Sequence, residues 1–181
     1  MELLRIIGIY PETISDGYGL RYAIYFAGCA HRCPGCHNPE SHDPRRGEPL
    51  TVERAETICA AIAANPILDG VTLSGGDPLL QPEAMAAFLR LLKERTGQNV
   101  WCYTGYLFER DILGDMALKW QEPLKMLSHI DVLVDGEFVE EKKDLKLRFR
   151  GSSNQRIIDV KESLRKGETV LAKEFYEKEK K

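Results

Sequence analysis

A chain of 181 residues, 43% hydrophobic and 29% charged, is long enough to enclose one core and short for two. Twenty-five Lys and Arg against 28 Asp and Glu leave a net charge of -3, too weak a positive field to hold nucleic acid non-specifically, so a general DNA or RNA binder is excluded. The apolar start MELLRIIGIY, broken by Arg5 and Gly8, is too short for a membrane span and lacks the features of a secretory signal, so the expectation is a cytoplasmic protein. Three of the five cysteines, Cys29, Cys33 and Cys36, fall within eight residues, while Cys59 and Cys102 stand alone. An odd count in a cytoplasmic chain argues against a disulfide framework and for metal or redox chemistry.

Residues 21–28 are rich in aromatic and β-favouring side chains and predict a strand that ends just before Cys29. Residues 30–50 carry Pro34, Gly35, Pro39, Pro44, Gly47 and Pro49, which exclude a regular element through most of that stretch. From Thr51, an N-cap candidate, Val52, Ala55, Ile58, Cys59 and Ile62 recur at helical spacing up to Asn65-Pro66. A short buried strand over 71–74 stops at Gly75-Gly76, and a helix follows with Pro82 in its first turn and Gly97 as its C-terminal cap. Strands are predicted over 100–103 and 130–134, with residues 107–127 mostly helical between them and a break at Glu122-Pro123. The alternation predicts an α/β fold with a parallel sheet. A complete eight-unit barrel needs about 250 residues, so the chain supplies part of a barrel or an open doubly wound sheet. Residues 161–181 are strongly charged and read as a solvated helix that frays.

Three thiolates on one loop can converge on a soft metal centre. A structural zinc would take its fourth ligand from His31, His37 or His42. The other reading is a four-iron, four-sulfur cluster held by only three cysteines, which leaves one iron open to a substrate or cofactor. Zinc-stabilised units usually lack a core of their own, whereas this loop hangs on a sheet that has one.

The spacing Cys29-x3-Cys33-x2-Cys36, followed after a strand and helix by Gly75-Gly76-Asp77-Pro78-Leu79, resembles the radical S-adenosylmethionine enzymes. The resemblance implies a single-domain, incomplete parallel β/α barrel, with residues 1–160 as its core and 161–181 as a charged helical tail. It implies a 4Fe-4S cluster on Cys29, Cys33 and Cys36, with S-adenosylmethionine on the open iron. One electron from the cluster then splits the cofactor into methionine and a 5′-deoxyadenosyl radical. Gly35, Cys36, His37, Gly75, Gly76 and Asp77 are expected against the cofactor. The two glycines would let backbone approach it closely, Asp77 would accept hydrogen bonds from its ammonium group, and His37 would stack on or shield its adenine.

The resemblance narrows through residues 16–21, the cluster run to Glu40, Tyr103-Thr104-Gly105-Tyr106, Val134-Asp135-Gly136-Glu137-Phe138 and Arg150-Gly151-Ser152-Ser153-Asn154-Gln155-Arg156. Together these are similar to the activases of anaerobic ribonucleoside-triphosphate reductase. That implies a protein substrate, a reductase glycine that loses a hydrogen atom to leave a stored glycyl radical, with reduced flavodoxin or ferredoxin as electron donor. Tyr18 departs from the proline usual in the wider group. The run Cys36-His37-Asn38-Pro39-Glu40 is shared with pyruvate formate-lyase activases, so such an enzyme is the alternative partner, and a non-enzymatic zinc module is the second alternative.

Cys59 and Cys102 are expected in the core, and Tyr22, Tyr25 and Phe26 as strand packing. His42 reads as an exposed loop residue, while His31 stays open. Asp135, at a strand's C-terminal end, is expected to contact cofactor or glycyl loop. Ser152, Ser153, Asn154 and Arg156 are either a polar loop or hydrogen-bonding groups for methionine carboxylate, ribose or partner. If the tail assists docking, its loss should weaken partner binding and leave S-adenosylmethionine cleavage unchanged.

Overall fold

The computed structural model describes residues 3–120 and 123–176. Glu122, at the expected helix break, and residues 177–181 of the tail lie outside the described residues. The chain forms a mixed α/β domain on a seven-stranded sheet. Its strands are β1 (Arg5–Thr13), β2 (Arg21–Phe26), β3 (Glu48–Pro49), β4 (Gly70–Gly75), β5 (Val100–Tyr103), β6 (Val132–Asp135) and β7 (Arg156–Asp159), in the order β3-β1-β2-β4-β5-β6-β7. The centre β2-β4-β5-β6 is parallel, as the alternation predicts. Both flanks are antiparallel, which the sequence pattern does not anticipate.

Helix α1 (Val52–Ala63) starts where expected, with the Arg54 N–H donating to Thr51 Oγ1 at 3.2 Å, and it buries Ala55, Ile58, Cys59 and Ile62. Helix α2 (Pro82–Thr96) begins on its proline and ends at Gly97, whose φ of 62° is the left-handed conformation that glycine adopts without strain. Residues 107–127 depart from a plain α-helix. Phe108–Met116 is wound as a π-helix that runs into the turn α3 (Ala117–Lys119), and α4 (Pro123–Leu127) follows. Ile24, Phe26, Leu73, Cys102 and Leu133 face the helices in the larger core. By strand alternation, Trp101, Val132, Val134 and Ile157 face the other side and build a second, smaller cluster. Cys59 and Cys102 are both buried, and burial raises the thiol pKa of Cys59 to about 11 and also pushes up that of Cys102.

The charged C-terminal segment is not one solvated helix. Helix α5 (Val160–Lys166) stops at Gly167 (φ 71°), after which Leu171 bridges to Ile158 and Phe175 packs on Trp101. A turn that returns two aromatic rings to a waiting apolar patch outweighs the charge pattern on either side. Among the described residues, no helix is long and apolar enough to cross a membrane.

Candidate functional site

All four motif-bearing loops leave the C-terminal ends of the parallel strands: the cysteine loop after β2, Gly76-Asp77 after β4, Thr104-Gly105 after β5 and Gly136-Glu137 after β6. Cys29, Cys33 and Cys36 are partly exposed free thiols. Each receives backbone N–H groups: those of His31 and Arg32 at Cys29, that of Phe138 at Cys33, and that of Asn38 at Cys36 Sγ at 3.4 Å. Arg32 holds a left-handed φ of 50° in the turn whose His31 and Arg32 N–H groups meet Cys29. Burial still raises the pKa of Cys29 and Cys33 against the lowering effect of these N–H groups. Amides ready to stabilise sulfur charge are the surroundings an iron–sulfur cluster uses. Three free thiols on one loop, each met by backbone N–H groups, are a donor set that fits an iron–sulfur cluster.

Asp77 does something other than face a ligand. It is 2% exposed, and its Oδ1 accepts from the Leu79 N–H at 2.9 Å and from Thr104 Oγ1 at 2.9 Å. Its Oδ2 accepts from the Gly105 N–H at 2.9 Å and pairs with His31 Nε2 at 3.0 Å. That carboxylate has no capacity left for an ammonium group. Instead it ties the β4 and β5 loops to the cysteine loop through His31. The imidazole, whose pKa the bond to Asp77 raises, also meets Glu137 at 3.4 Å and packs its edge on Tyr106. His31, which the sequence left undecided, thus links the cysteine loop to the loops after β4 and β6.

Gly76 is likewise required by its own chain. A Cβ there would lie 2.4 Å from the Gly28 carbonyl oxygen and 2.9 Å from that of Ser41, while the adjacent Asp77 N–H donates to Gly28 O at 2.8 Å. Gly76→Ala should therefore push the root of the cysteine loop away from β4. The expected cost is about 3 kcal/mol, with poor iron incorporation, measurable by denaturant unfolding and iron analysis. Gly35 (φ 69°) packs against the Glu140 carboxylate and does not line the cleft described next.

On the sheet face opposite α1 and α2 lies a cleft of about 630 Å³. Cys36, His37 and Gly75 line it, beside Asp16, Tyr25, Tyr103 and Phe138. Tyr25 is no mere packing residue, because its hydroxyl donates to Asp16, whose carboxylate also accepts from Thr13 Oγ1 at 2.6 Å. Tyr22 and Phe26 are core, as expected. His37 stands 5.5 Å from the Phe138 ring, centroid to centroid. A second hollow of about 580 Å³ adjoins across Tyr25, His37 and Asn38. His42 is half-buried and not an exposed loop residue.

Asp135 is fully buried and committed, accepting from the Phe108 N–H at 2.9 Å and from Arg156 Nε at 2.9 Å. Arg156 is equally committed, bridging Asp135 and Glu109. Neither is placed to meet a ligand. Ser152 is buried and accepts from the Val139 N–H, and Asn154 donates to Glu137 O. Ser153 is exposed and does not line the cleft. From the same segment Arg150, Gly151 and Gln155 do line it. The Arg156 guanidinium pulls the Glu109 carboxyl from 4.5 down to about 2. This contribution to stability is present above pH 4.5 and is lost as the pH falls toward 2. Urea midpoints should therefore drop through that window, and Arg156→Ala should flatten the drop.

Residues 15–158 match the model of the 4Fe-4S single cluster domain. The chain is 37% identical to the anaerobic ribonucleoside-triphosphate reductase-activating protein of Salmonella typhi over 156 residues, 84% of this chain and 96% of that protein. The Escherichia coli (strain K12) protein of that name is 35% identical over 81% of this chain and 92% of its own length. That of Enterobacteria phage T4 is 34% identical over 82% and 90%. With the N–H-ringed cysteine triplet inside the matched region, the chain belongs to the family of anaerobic ribonucleoside-triphosphate reductase-activating proteins and carries its 4Fe-4S single cluster domain.

Proposed function

We propose that this chain activates anaerobic ribonucleoside-triphosphate reductase by placing a glycyl radical on it, with one 4Fe-4S cluster on Cys29, Cys33 and Cys36 and S-adenosylmethionine in the adjoining cleft. The observation that carries the reading is the set of backbone N–H groups directed at three free thiols beside a cleft of about 630 Å³. When bound, the reduced cluster supplies the electron that splits S-adenosylmethionine into methionine and the radical that takes hydrogen from the reductase glycine. We read the sheet as the open, incomplete β/α barrel of the radical S-adenosylmethionine enzymes, whose missing wall admits a partner's loop. The electron donor in this reading is reduced flavodoxin or ferredoxin, and the compartment is the cytoplasm.

The chain's own residues hold and screen. Three thiolates leave one iron without a protein ligand. Cys36, His37 and Gly75 would border the cofactor, and the pair of His37 and Phe138 would offer its adenine an aromatic edge. Tyr25 and Asp16 close the floor with their hydrogen bond, which removes two polar groups from competition for the cofactor. Asp77, Gly76 and Gly35 act one step back, by fixing the loops that carry the bordering residues.

The test is anaerobic reconstitution with iron and sulfide, reduction, and chromatography of the products formed from S-adenosylmethionine. About four irons per chain together with 5′-deoxyadenosine and methionine in equal amounts support the reading. A colourless protein that retains one tightly held zinc contradicts it.

A further inference from the structure

The outer wall of the cleft is a loop closed at its base, where the Asp144 N–H donates to Gly151 O at 3.4 Å and the Gly151 N–H donates to Gln155 Oε1 at 2.8 Å. Residues 144–151 contribute Asp144, Leu145, Leu147, Phe149, Arg150 and Gly151 to the lining. Leu145 is 87% exposed, and Phe149 sits at φ 54°, a left-handed conformation that a bulky side chain keeps only where its surroundings hold it. Those surroundings are Trp101 on β5, the Arg148 guanidinium 5.1 Å over the ring, and Phe175 of the C-terminal segment. Phe175 stands 4.9 Å from the Trp101 ring and 6.3 Å from that of Phe149, and Trp101 lies 5.3 Å from Phe149, all edge-on. The guanidinium of Arg150 lies 4.2 Å over the Tyr176 ring. The segment is itself fastened to β7: the Ile157 N–H donates to Tyr176 Oη at 2.7 Å, and the Ala172 N–H donates to Ile157 O at 2.9 Å.

We propose that Phe175 and Tyr176 are positioning residues for the cofactor, bracing the Phe149–Arg150 wall so that the cleft keeps its shape. Neither residue lines the cleft; both act through the wall. The inference rests on the reading that the cleft takes S-adenosylmethionine, and it reverses the sequence-based expectation that losing the tail leaves cofactor cleavage untouched. Each brace is an aromatic or cation–π contact to a wall residue, added to the contacts of Phe149 with Trp101 and Arg148 and to the hydrogen bond Arg150 donates to Gln155 O at 2.9 Å. Its removal should open the wall locally and leave the cysteine loop, which is anchored by Asp77 and Gly28, in place.

The test uses the full chain with Phe175→Ala and Tyr176→Ala, and with Phe175→Tyr as the conservative partner, since Tyr176→Phe would itself lose the Ile157 hydrogen bond. In the cluster-free protein, hydrogen exchange of amides 145–151 should rise about tenfold in the alanine variants, while the amides of β4 and β5 keep their protection. After reconstitution these variants should retain full iron content. Their KM for S-adenosylmethionine should rise about tenfold with kcat changed by less than about twofold, and Phe175→Tyr should keep the wild-type KM. Unchanged exchange over 145–151 would overturn the brace, as would lost protection throughout β4 and β5. Local opening with an unchanged KM would overturn the cofactor role. Exchange needs no ligand, so a wild-type protein that fails to cleave S-adenosylmethionine would count against the reading of the cleft alone, and the exchange rates would still support or overturn the brace.

Discussion

Cys29→Ala should abolish iron incorporation and S-adenosylmethionine cleavage, and Cys33→Ala and Cys36→Ala should do the same. Cys102→Ala should keep its full iron content. The four thiols differ in surroundings, not in chemistry. The first three are partly exposed at the end of β2, each with backbone N–H groups aimed at sulfur. Cys102 is fully buried in β5, and burial holds it as a thiol. Two remaining thiolates leave two irons of a four-iron cluster unsupported, so the effect of losing one should be close to complete. Cys102→Ala removes only a buried sulfur, at a cost of about 1–2 kcal/mol that thermal melting would register. Iron analysis and product chromatography on all four variants, purified side by side, check this. Full iron in any of the three loop variants would remove that residue from the ligand set.

Asp77→Ala should be the most destabilising single change at the site. The side chain is buried and receives hydrogen bonds from the Leu79 N–H, the Gly105 N–H, Thr104 Oγ1 and the His31 ring. Alanine leaves two backbone donors and one hydroxyl without partners in the interior and strands a histidine between loops. Losing one member of a buried, charged network costs about 3–5 kcal/mol, which in a domain of this size lowers the melting temperature by roughly 10 °C. Asp77→Asn keeps an acceptor and should recover part of the loss. Iron incorporation should fall with stability, because His31 is the link from Asp77 to the cysteine loop. An Asp77→Ala protein that melts like the wild type would show that these hydrogen bonds are replaced by water and that the loops have another anchor.

Much of the fold could be read from periodicity, and the places where that reading fails have identifiable causes. Helices α1 and α2 carry a cap, an apolar stripe and a terminator, and they form where those signals place them. Strand β1 is missed. Gly8 and Pro11 break its pattern, and register shifts between Ile6 and Gly8 and between Tyr10 and Thr13 destroy the alternation that marks a strand. The π-helix at 108–116 differs from an α-helix by hydrogen bonding that no spacing of side chains reveals. The two residues Glu48–Pro49 of β3 are hidden in a stretch dominated by turn formers.

At the site, the cysteines and the glycine pair could be located because their spacing is unusual, but their division of labour could not. Asp77 and Asp135 both sit at strand ends and look like ligand-facing carboxylates. Burial and existing partners turn both into internal ties. Arg156 is consumed in the same way, by Asp135 and Glu109, which lie 21 and 47 residues away along the chain. Tyr25 looks like strand packing in the sequence, and only its contact with Asp16 across the β1–β2 turn reveals that it borders the cleft. His31 could be suspected from its place between two cysteines, but its partners come from the loops after β4 and β6, and pairings of that range are set by topology.

The measurement closest to the central claim is an electron paramagnetic resonance spectrum of anaerobic ribonucleoside-triphosphate reductase after incubation with this protein, a reductant and S-adenosylmethionine. A glycyl-radical doublet that requires all three additions, with 5′-deoxyadenosine released alongside it, is the predicted result. No doublet on that reductase, or a doublet that forms only on another glycyl-radical enzyme such as pyruvate formate-lyase, would contradict the assignment.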